Sequence, residues 1–215
     1  MSNDNGGRTM KVLLLNGSPH EQGCTQTALC EVEKGLHENG IETEWMYLGK
    51  KAISGCIACG NCKKTGKCMI EDQVNLLLAK LSEIDGIVIG SPVYYASAAG
   101  QLTAFLDRAF FAGGQQFVNK LGAAVVSCRR GGASAAFDQL NKYFLMNNMP
   151  LVASQYWNQV HGSTPNQVLQ DEEGLQTMRT LANNMAWLLK SIEAGRKAGV
   201  LPPKREKPQK TDFIR

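Results

Sequence analysis

The chain has 215 residues, with 43% hydrophobic and 20% charged residues and a formal net charge of +4. This length suits one well-packed core, and no apolar stretch approaches the ~20 residues that a membrane-spanning helix needs, which argues against a membrane protein. The seven cysteines favour reduced thiols in a cytoplasmic protein, because a secreted disulfide scaffold would be shorter and more cysteine-dense.

Basic charge is concentrated near the C-terminal end. From Arg196 onward the sequence has seven basic and two acidic residues, so this segment carries +5 and the remainder −1. A nucleic-acid-binding domain would instead spread its basic charge over a folded face. We therefore expect a folded domain at residues 10–195, followed by a basic C-terminal tail at residues 196–215 that is solvated or packs against a partner.

Short apolar runs alternate with helical patterns along the folded domain. The predicted strands cover residues 11–15, 41–48, 86–90, 121–127 and 150–153. The predicted helices cover residues 25–39, a segment that begins after the capping residue Asp72, and residues 102–111, 135–147 and 171–194. Residues 155–169 are polar and irregular, which is typical of a functional or interface loop.

Five strands that alternate with helices predict a parallel sheet covered by helices on both faces. Because crossovers between parallel strands are right-handed, few topologies remain. We expect a doubly wound, flavodoxin-like α/β fold, with a five-stranded parallel sheet in the order 2-1-3-4-5 inside a three-layer α/β/α arrangement. In that fold, ligands bind beyond the carboxyl ends of the strands, where the strand order reverses.

The turn after the first strand has the features of a phosphate site. An anion there would meet free backbone N–H groups and the positive end of the first helix dipole, and Ser18, Thr25 and Thr27 add hydroxyl donors. The turn lacks the pattern of a Walker A loop and that of the dinucleotide fingerprint, which argues for a mononucleotide. An ordinary helix cap rich in serine and threonine is the alternative.

Two further turns are predicted to lie along the same edge of the sheet. Residues 91–96 follow the third strand, and residues 128–132 follow the fourth. Tyr94 or Tyr95 would stack on a planar ring, unless these tyrosines are core residues. Backbone N–H groups of the glycine-rich turn would bond ring carbonyls, and an arginine there would favour negative charge on a reduced ring.

A cysteine cluster lies between the second strand and the next helix. Its spacing is Cys-x2-Cys-x2-Cys-x5-Cys, formed by Cys56, Cys59, Cys62 and Cys68. Soft thiolates in such a compact segment suit a [4Fe–4S] cluster. Zinc is less natural, because structural zinc sites usually join two separated pairs of ligands. Free thiols or a redox-active disulfide are a third interpretation.

These motifs resemble the NADPH-dependent FMN reductase family. The resemblance lies in residues 12–19 (VLLLNGSP), the later Thr-Gln-Thr at 25–27, and residues 90–95 (GSPVYY) with Gly-Gln-Leu at 100–102. The cysteine segment is similar to the iron–sulfur flavoprotein branch of that family. The resemblance covers residues 10–194 and implies a flavodoxin-like fold, bound FMN and redox chemistry with a nicotinamide donor or a protein electron carrier.

The resemblance also implies a role for each turn. The FMN phosphate would be held by Ser18, Thr25, Gln26 and Thr27. The isoalloxazine ring would be flanked by Pro92, Val93, Tyr94 and Tyr95, with Arg130, Gly131 and Gly132 near the ring edge. His20 and Cys24 stand where family members often carry arginine and asparagine, and we include both among the expected FMN-binding residues.

The expected function is that of an NAD(P)H-dependent, FMN-containing oxidoreductase, which passes electrons to a small-molecule or protein acceptor. No catalytic side chain is required, because the flavin carries the chemistry. One alternative is an iron–sulfur flavoprotein that relays electrons between protein partners, and another is a thiol or metal sensor on a vestigial flavin fold. The resemblance further implies a homodimer or homotetramer, with neither nucleic acid nor a membrane as partner.

Overall fold

A computed structural model describes residues 9–207, 209 and 211. The helices are α1 (Cys24–Glu38), α2 (Cys62–Thr65), α3 (Gln73–Lys80), α4 (Gly100–Phe117), α5 (Ala133–Met146), α6 (Pro165–Val168) and α7 (Glu172–Lys197). The strands are β1 (Lys11–Asn16), β2 (Glu42–Tyr47), β3 (Gly86–Tyr94), β4 (Ser97–Ala98), β5 (Leu121–Cys128) and β6 (Gln159–His161). The tail predicted at residues 196–215 lies partly outside the described residues, and its first two residues extend α7.

The main sheet is parallel and has the strand order β2-β1-β3-β5-β6, while β4 forms a short antiparallel pair with the end of β3. Counted over the parallel strands alone, this is the order 2-1-3-4-5, so the predicted flavodoxin-like topology is confirmed. The strand order reverses between β1 and β3, whose residues pair from Val12↔Gly86 to Asn16↔Gly90. That reversal places the carboxyl ends of β1 and β3 side by side.

The predicted fifth strand at residues 150–153 is wrong in position. Leu151 makes an isolated parallel bridge to Gly122, and the chain then leaves the sheet before it rejoins β5 as β6, where Val126 pairs with Gln159. The strand lies within residues 155–169, a stretch that we predicted to be irregular. This edge strand, β6, has only three residues. So short a strand shows too few side-chain alternations to be recognised from the sequence.

Two apolar cores cover the sheet, one on each face. In β1, Leu13 and Leu15 belong to the core formed with α3, α4 and α5, whereas Val12 and Leu14 belong to the core formed with α1 and α7. This alternation is the side-chain period of a strand that is buried on both faces. None of the helices within the described residues is long and apolar enough to cross a membrane.

The helix boundaries that depend on capping agree with local sequence signals. Asp72 caps α3 by accepting a hydrogen bond from the Val74 amide at 3.0 Å, as its position predicts. Helix α1 ends at Glu38, with Asn39 as its C-cap, and the next residue, Gly40, has a φ of +71°. Glycine adopts that left-handed conformation without the steric penalty that a side chain brings.

We predict that Gly122→Ala destabilises the fold by about 1–3 kcal/mol, since overpacking a filled core forces its neighbours to shift. A Cβ at Gly122 would lie 2.6 Å from Cδ1 of the buried Phe144 ring. Urea unfolding would measure the change. Gly100→Ala at the start of α4 is the matched control, because a Cβ there meets nothing within 4 Å. Equal stabilities for the two variants would contradict the prediction.

Candidate functional site

The turns after β1, β3 and β5 meet at the carboxyl edge of the sheet. The Gly17 amide after β1 donates to the Gly90 carbonyl of β3 at 2.9 Å. At the next junction, a Cβ on Gly132 would lie 2.8 Å from the Ala96 Cα, so the turn after β5 packs directly on the turn after β3. The structure therefore brings together the three turns that the sequence places at one edge.

The turn between β1 and α1 is shaped by its own side chains. The Ser18 amide donates to Oδ1 of Asn16 at 3.0 Å, and the His20 amide donates to Oγ of Ser18 at 3.1 Å. Nδ2 of Asn16 donates to Oε1 of Gln26 at 2.9 Å. The hydroxyl of Tyr47 on β2 secures the turn further by donating to the Pro19 carbonyl at 2.8 Å. Ser18 and Gln26, which are predicted to hold a phosphate, thus help to fix the conformation of this turn.

The hydroxyls of the two predicted threonines already have protein partners. Thr25 is buried, and its hydroxyl lies 2.8 Å from the Ser127 hydroxyl of β5. The Thr27 hydroxyl donates to the Gly23 carbonyl at 3.2 Å. These two side chains therefore fasten α1 to the sheet and to the turn, and an anion would meet the backbone N–H groups at the start of α1.

The N-terminus of α1 keeps its amides available. Gly23 occupies the cap position, and no side chain of the described residues accepts from the first-turn amides of α1. Unsatisfied N–H groups at a helix start and the helix dipole together favour an anion. His20 is exposed in the preceding turn, whereas the Cys24 sulfur contacts the Gly162 carbonyl at 3.6 Å.

The hairpin between β3 and β4 holds a strained turn. Tyr95 and Ala96 have φ values of +51° and +59°, a conformation that two-residue hairpin turns usually give to asparagine and glycine. Tyr95 is fully exposed and Tyr94 is partly exposed, which excludes the interpretation that they are core residues. Pro92 and Val93 are half-buried beneath them.

Helix α5 and the turn before it support this hairpin. Oε1 of Gln139 accepts hydrogen bonds from the Ser97 hydroxyl at 2.8 Å and from the Ala98 amide at 2.9 Å. Gly132 has a φ of +85° and forms an uncapped N-terminus for α5. Arg130 and Gly131 precede it on the exposed side of the turn. The sequence contains no local signal for Gln139 or Ser127, because each acts through a tertiary contact.

The four clustered cysteines line a common pocket beside this edge. Cys56, Cys59, Cys62 and Cys68 line, together with Phe111 of α4, one small pocket that opens to solvent. All four are free thiols, and Cys56 and Cys59 are exposed. Within the part of the chain that the structure describes, no three His, Cys, Asp or Glu side chains stand close enough to hold a metal ion. The donor chemistry fits a thiophilic metal. Cys56, Cys59 and Cys68 lie outside helices and strands, whereas Cys62 begins α2.

Arg108 closes the floor of the cysteine pocket and was not predicted. It is 2% exposed, and it is the only charged residue buried among those described. Its guanidinium lies 3.3 Å from the Cys68 sulfur through Nε and 2.6 Å from Oδ2 of Asp72 through Nη1. Burial lowers the pKa of Arg108, but the hydrogen bonds to Asp72 and Cys68 outweigh it, so the net shift is upward. A cation within the apolar stripe of α4 is the signal that could have identified it.

The surface around the cysteine pocket is basic and partly apolar. Five exposed lysines and no acidic residue occur between Gly49 and Ile70. Ile57 and Met69 are exposed beside them, and the Lys63 ammonium lies 5.6 Å from the centre of the Phe111 ring. Charge of one sign around a small apolar patch suits a weakly bound, acidic partner.

The sequence profile of the family described as NADPH-dependent FMN reductase matches residues 10–163. The chain is 36% identical to an iron–sulfur flavoprotein of Methanocaldococcus jannaschii over 192 residues, which cover 86% of this chain and 100% of that protein. It is 30% identical to an iron–sulfur flavoprotein of Methanosarcina thermophila over 194 residues, which cover 87% and 99%. A flavodoxin structure from the domain Archaea has a TM-score of 0.58 at 15% identity and covers 84% of this chain and 99% of its own. These findings confirm the predicted resemblance and the fold.

We predict that Cys128 reacts with iodoacetamide at least ~10-fold more slowly than Cys56 and Cys59, because the thiolate is the reactive form. Burial raises the pKa of Cys128, and the nearby Asp171 charge raises it further. A hydrogen bond from the Arg130 backbone lowers this pKa only in part, so the net shift is upward. A raised thiol pKa leaves less thiolate at any given pH, so labelling of Cys128 should require a higher pH. Mass spectrometry of the labelled peptides measures this, and protein unfolded in urea is the control. Equal native rates would refute it.

Proposed function

Because the chain belongs to the NADPH-dependent FMN reductase family and is similar to iron–sulfur flavoproteins, we propose that it is an FMN-containing oxidoreductase driven by NADH or NADPH. The observation that carries this proposal is the meeting of three turns at the carboxyl edge of the sheet. One turn offers free amides at a helix start, and the other two interlock around an exposed aromatic side chain. An anionic, planar ligand fits both features.

The phosphate of FMN would be held by the β1–α1 turn and the first turn of α1. Ser18 is buried and supports the turn from within, and the N–H groups of Thr25 and Gln26 lie in the first turn of the helix. The Thr27 amide already donates to the Gly23 carbonyl at 3.0 Å, so Thr27 would support the phosphate site rather than donate its amide to it. Exposed His20 would add a donor to the phosphate from the surface. Backbone donors and a helix dipole need no positively charged side chain to bind an anion.

The flavin ring would lie against the β3–β4 hairpin. Pro92 and Val93 form the half-buried base of this hairpin, and Tyr94 and Tyr95 supply exposed aromatic surface. In the facing turn, the exposed residues Arg130 and Gly131 would meet the polar edge of the ring, together with Gly132. FMN, when bound, would provide the redox chemistry, in which it accepts a hydride from NAD(P)H and passes electrons to an acceptor. The part of the protein would be to bind the flavin and orient it through these residues.

A second candidate function is an electron relay between protein partners through a [4Fe–4S] cluster. The specific observation in its favour is that Cys56, Cys59, Cys62 and Cys68 line one pocket, with Arg108 hydrogen-bonded to Cys68. The pocket residues would have to close around the cluster, since no three metal ligands among the described residues are yet within reach of one ion. The lysines around the pocket fit an acidic protein acceptor.

The assembly and the compartment are also part of this proposal. We propose a homodimer or homotetramer, which exposed aromatic side chains such as Tyr156, Trp157 and Trp187 would favour. We propose that the protein is cytoplasmic, because a reducing compartment is where free thiols such as its seven cysteines persist. The acceptor is proposed only by class, as a small molecule or a protein.

The experiment that tests both candidates is anaerobic purification followed by visible spectroscopy with iron and acid-labile sulfide assays. We expect flavin absorbance that NADH or NADPH bleaches under stopped-flow mixing. About four iron and four sulfide atoms per chain would add the second candidate function. Flavin without iron would leave the first function alone, and a colourless protein that fails to bind added FMN would refute both.

We predict that Cys24→Asp weakens FMN binding by at least ~10-fold, because a carboxylate at the start of α1 repels the phosphate. The same change should leave the helix intact, since an acidic residue stabilises a helix N-terminus. Titration of the metal-free protein with FMN, followed by quenching of flavin fluorescence, measures the dissociation constant. Cys24→Asn is the uncharged control of nearly equal size. Similar loss of affinity in both variants would contradict the placement of the phosphate.

A further inference from the structure

We propose that Arg108 is the positioning residue of the cysteine pocket. It fixes the Cys68 sulfur and ties both ends of the cysteine segment to α4, so that the remaining thiols can close on a thiophilic metal centre around a preset ligand. The metal centre in this inference rests on the second candidate function, whereas the positioning role rests on the contacts of Arg108. The cysteine segment is defined here as residues 54–70.

The guanidinium of Arg108 holds the Cys68 sulfur through two donors. Nε lies 3.3 Å and Nη2 lies 3.2 Å from Sγ. The two terminal nitrogens also donate to the Asp72 carboxylate, with Nη1 at 2.6 Å from Oδ2 and Nη2 at 2.9 Å from Oδ1. The planar fork of arginine fits this double arrangement, whereas the compact ammonium of lysine does not.

The same guanidinium also binds both ends of the cysteine segment. Nη1 donates to the Ser54 carbonyl at 3.3 Å, two residues before Cys56. Nη2 donates to the Ile70 carbonyl at 3.0 Å, two residues after Cys68. The intervening chain therefore starts and ends at one buried cation. Fixing the two ends restricts where Cys56, Cys59 and Cys62 can go, because the loop must close between fixed points.

Cys68 is also held through its backbone. The Cys68 amide donates to Oδ1 of Asn75 at 2.9 Å, and Nδ2 of Asn75 donates to the Cys68 carbonyl at 2.9 Å. Asn75 lies on α3, whose cap residue Asp72 is itself a partner of Arg108. Cys56 and Cys59, in contrast, are exposed. Cys68 is thus the preset member of the set, and the exposed thiols are the ones that must move.

A fixed positive charge beside one sulfur has an electrical consequence. Hydrogen bonds and positive charge at a ligand sulfur stabilise the more negative, reduced form of an iron–sulfur centre and raise its reduction potential. A purely structural role for the Arg108–Asp72 pair would not require either donor to Cys68. The reduction potential is therefore the property that separates positioning of the metal centre from simple stabilisation of the fold.

The test compares wild type with Arg108→Gln and Arg108→Lys, and uses Arg179→Gln as a matched control. Arg179 lies on α7 and pairs with Glu31 on the surface, away from the pocket. FMN content and circular dichroism report folding. Three measurements follow: trypsin cleavage after Lys63, Lys64 and Lys67 in metal-free protein, iron loss to a chelator after reconstitution with iron and sulfide, and the reduction potential by titration with electron paramagnetic resonance.

We expect Arg108→Gln to be cleaved ~10-fold faster within the cysteine segment, since its two ends are released. Iron loss should be ~10- to 100-fold faster, as is usual when a residue that orients a metal ligand is lost, and the potential should fall. Arg108→Lys keeps the charge but not the fork, so it should lose iron faster than wild type while its potential stays near that of wild type. Arg179→Gln should match wild type throughout.

Wild-type values of cleavage, iron loss and potential in Arg108→Gln would overturn the inference. If Arg108→Gln fails to fold, Arg108→Lys decides, and its matching wild type in both cleavage and iron loss would overturn it. If wild type takes up no iron, the second candidate function fails instead. The trypsin rates alone then test whether Arg108 holds the two ends of the cysteine segment. Equal rates in wild type and Arg108→Gln would overturn that role, and faster cleavage of the variant would support it.

Discussion

The central strands of the sheet are covered by helices from both sides, and this constraint decides where polar groups can stand. In β1, Leu13 and Leu15 enter one core while Val12 and Leu14 enter the other. Backbone groups along such strands are satisfied within the sheet, so free amides and polar side chains collect where the strands end. The place of the candidate flavin site therefore follows from the burial of the sheet, before any particular ligand is considered.

Arg108 is the exception to this separation, and its partners explain how α4 accommodates it. A buried ion is costly unless it is paired and fully hydrogen-bonded, and an apolar residue of similar volume is often as stable in its place. Here Asp72, Cys68 and two carbonyls meet the donors of the guanidinium. An apolar replacement would fill the space but release the cysteine segment. The loop that the cation holds is thus the reason for a charge at a core position.

Sequence patterns predict the parts of this protein that are locally encoded. The apolar runs of the central strands, the Asp72 cap and the turn after Asn16 all depend on neighbouring residues, whereas β3 continues past its predicted end at Gly90 to Tyr94. The fifth strand is not predicted in this way, because β6 has only three residues, and its single buried apolar residue, Val160, is too little for a period to be recognised. Contacts such as Gln139 to the hairpin depend on the packing of distant elements. Arg108 lies between these cases, since a lone charge in an apolar stripe is visible but its partners are not.

The hairpin at Tyr95 and Ala96 combines a strained backbone with an exposed aromatic side chain. Left-handed backbone costs roughly 1–2 kcal/mol for each residue with a side chain, and the exposed Tyr95 ring gains no packing within the described chain to offset this. Gly132 allows the facing turn to press on Ala96, where any Cβ would collide, so the strained form is fixed by its neighbour. A planar ligand that covers Tyr95 would bury aromatic surface, and the free energy gained by this burial is comparable to the cost of the left-handed backbone. The free protein therefore holds an unfavourable turn in a fixed conformation, and a site that is already rigid would lower the entropy lost when a ligand binds.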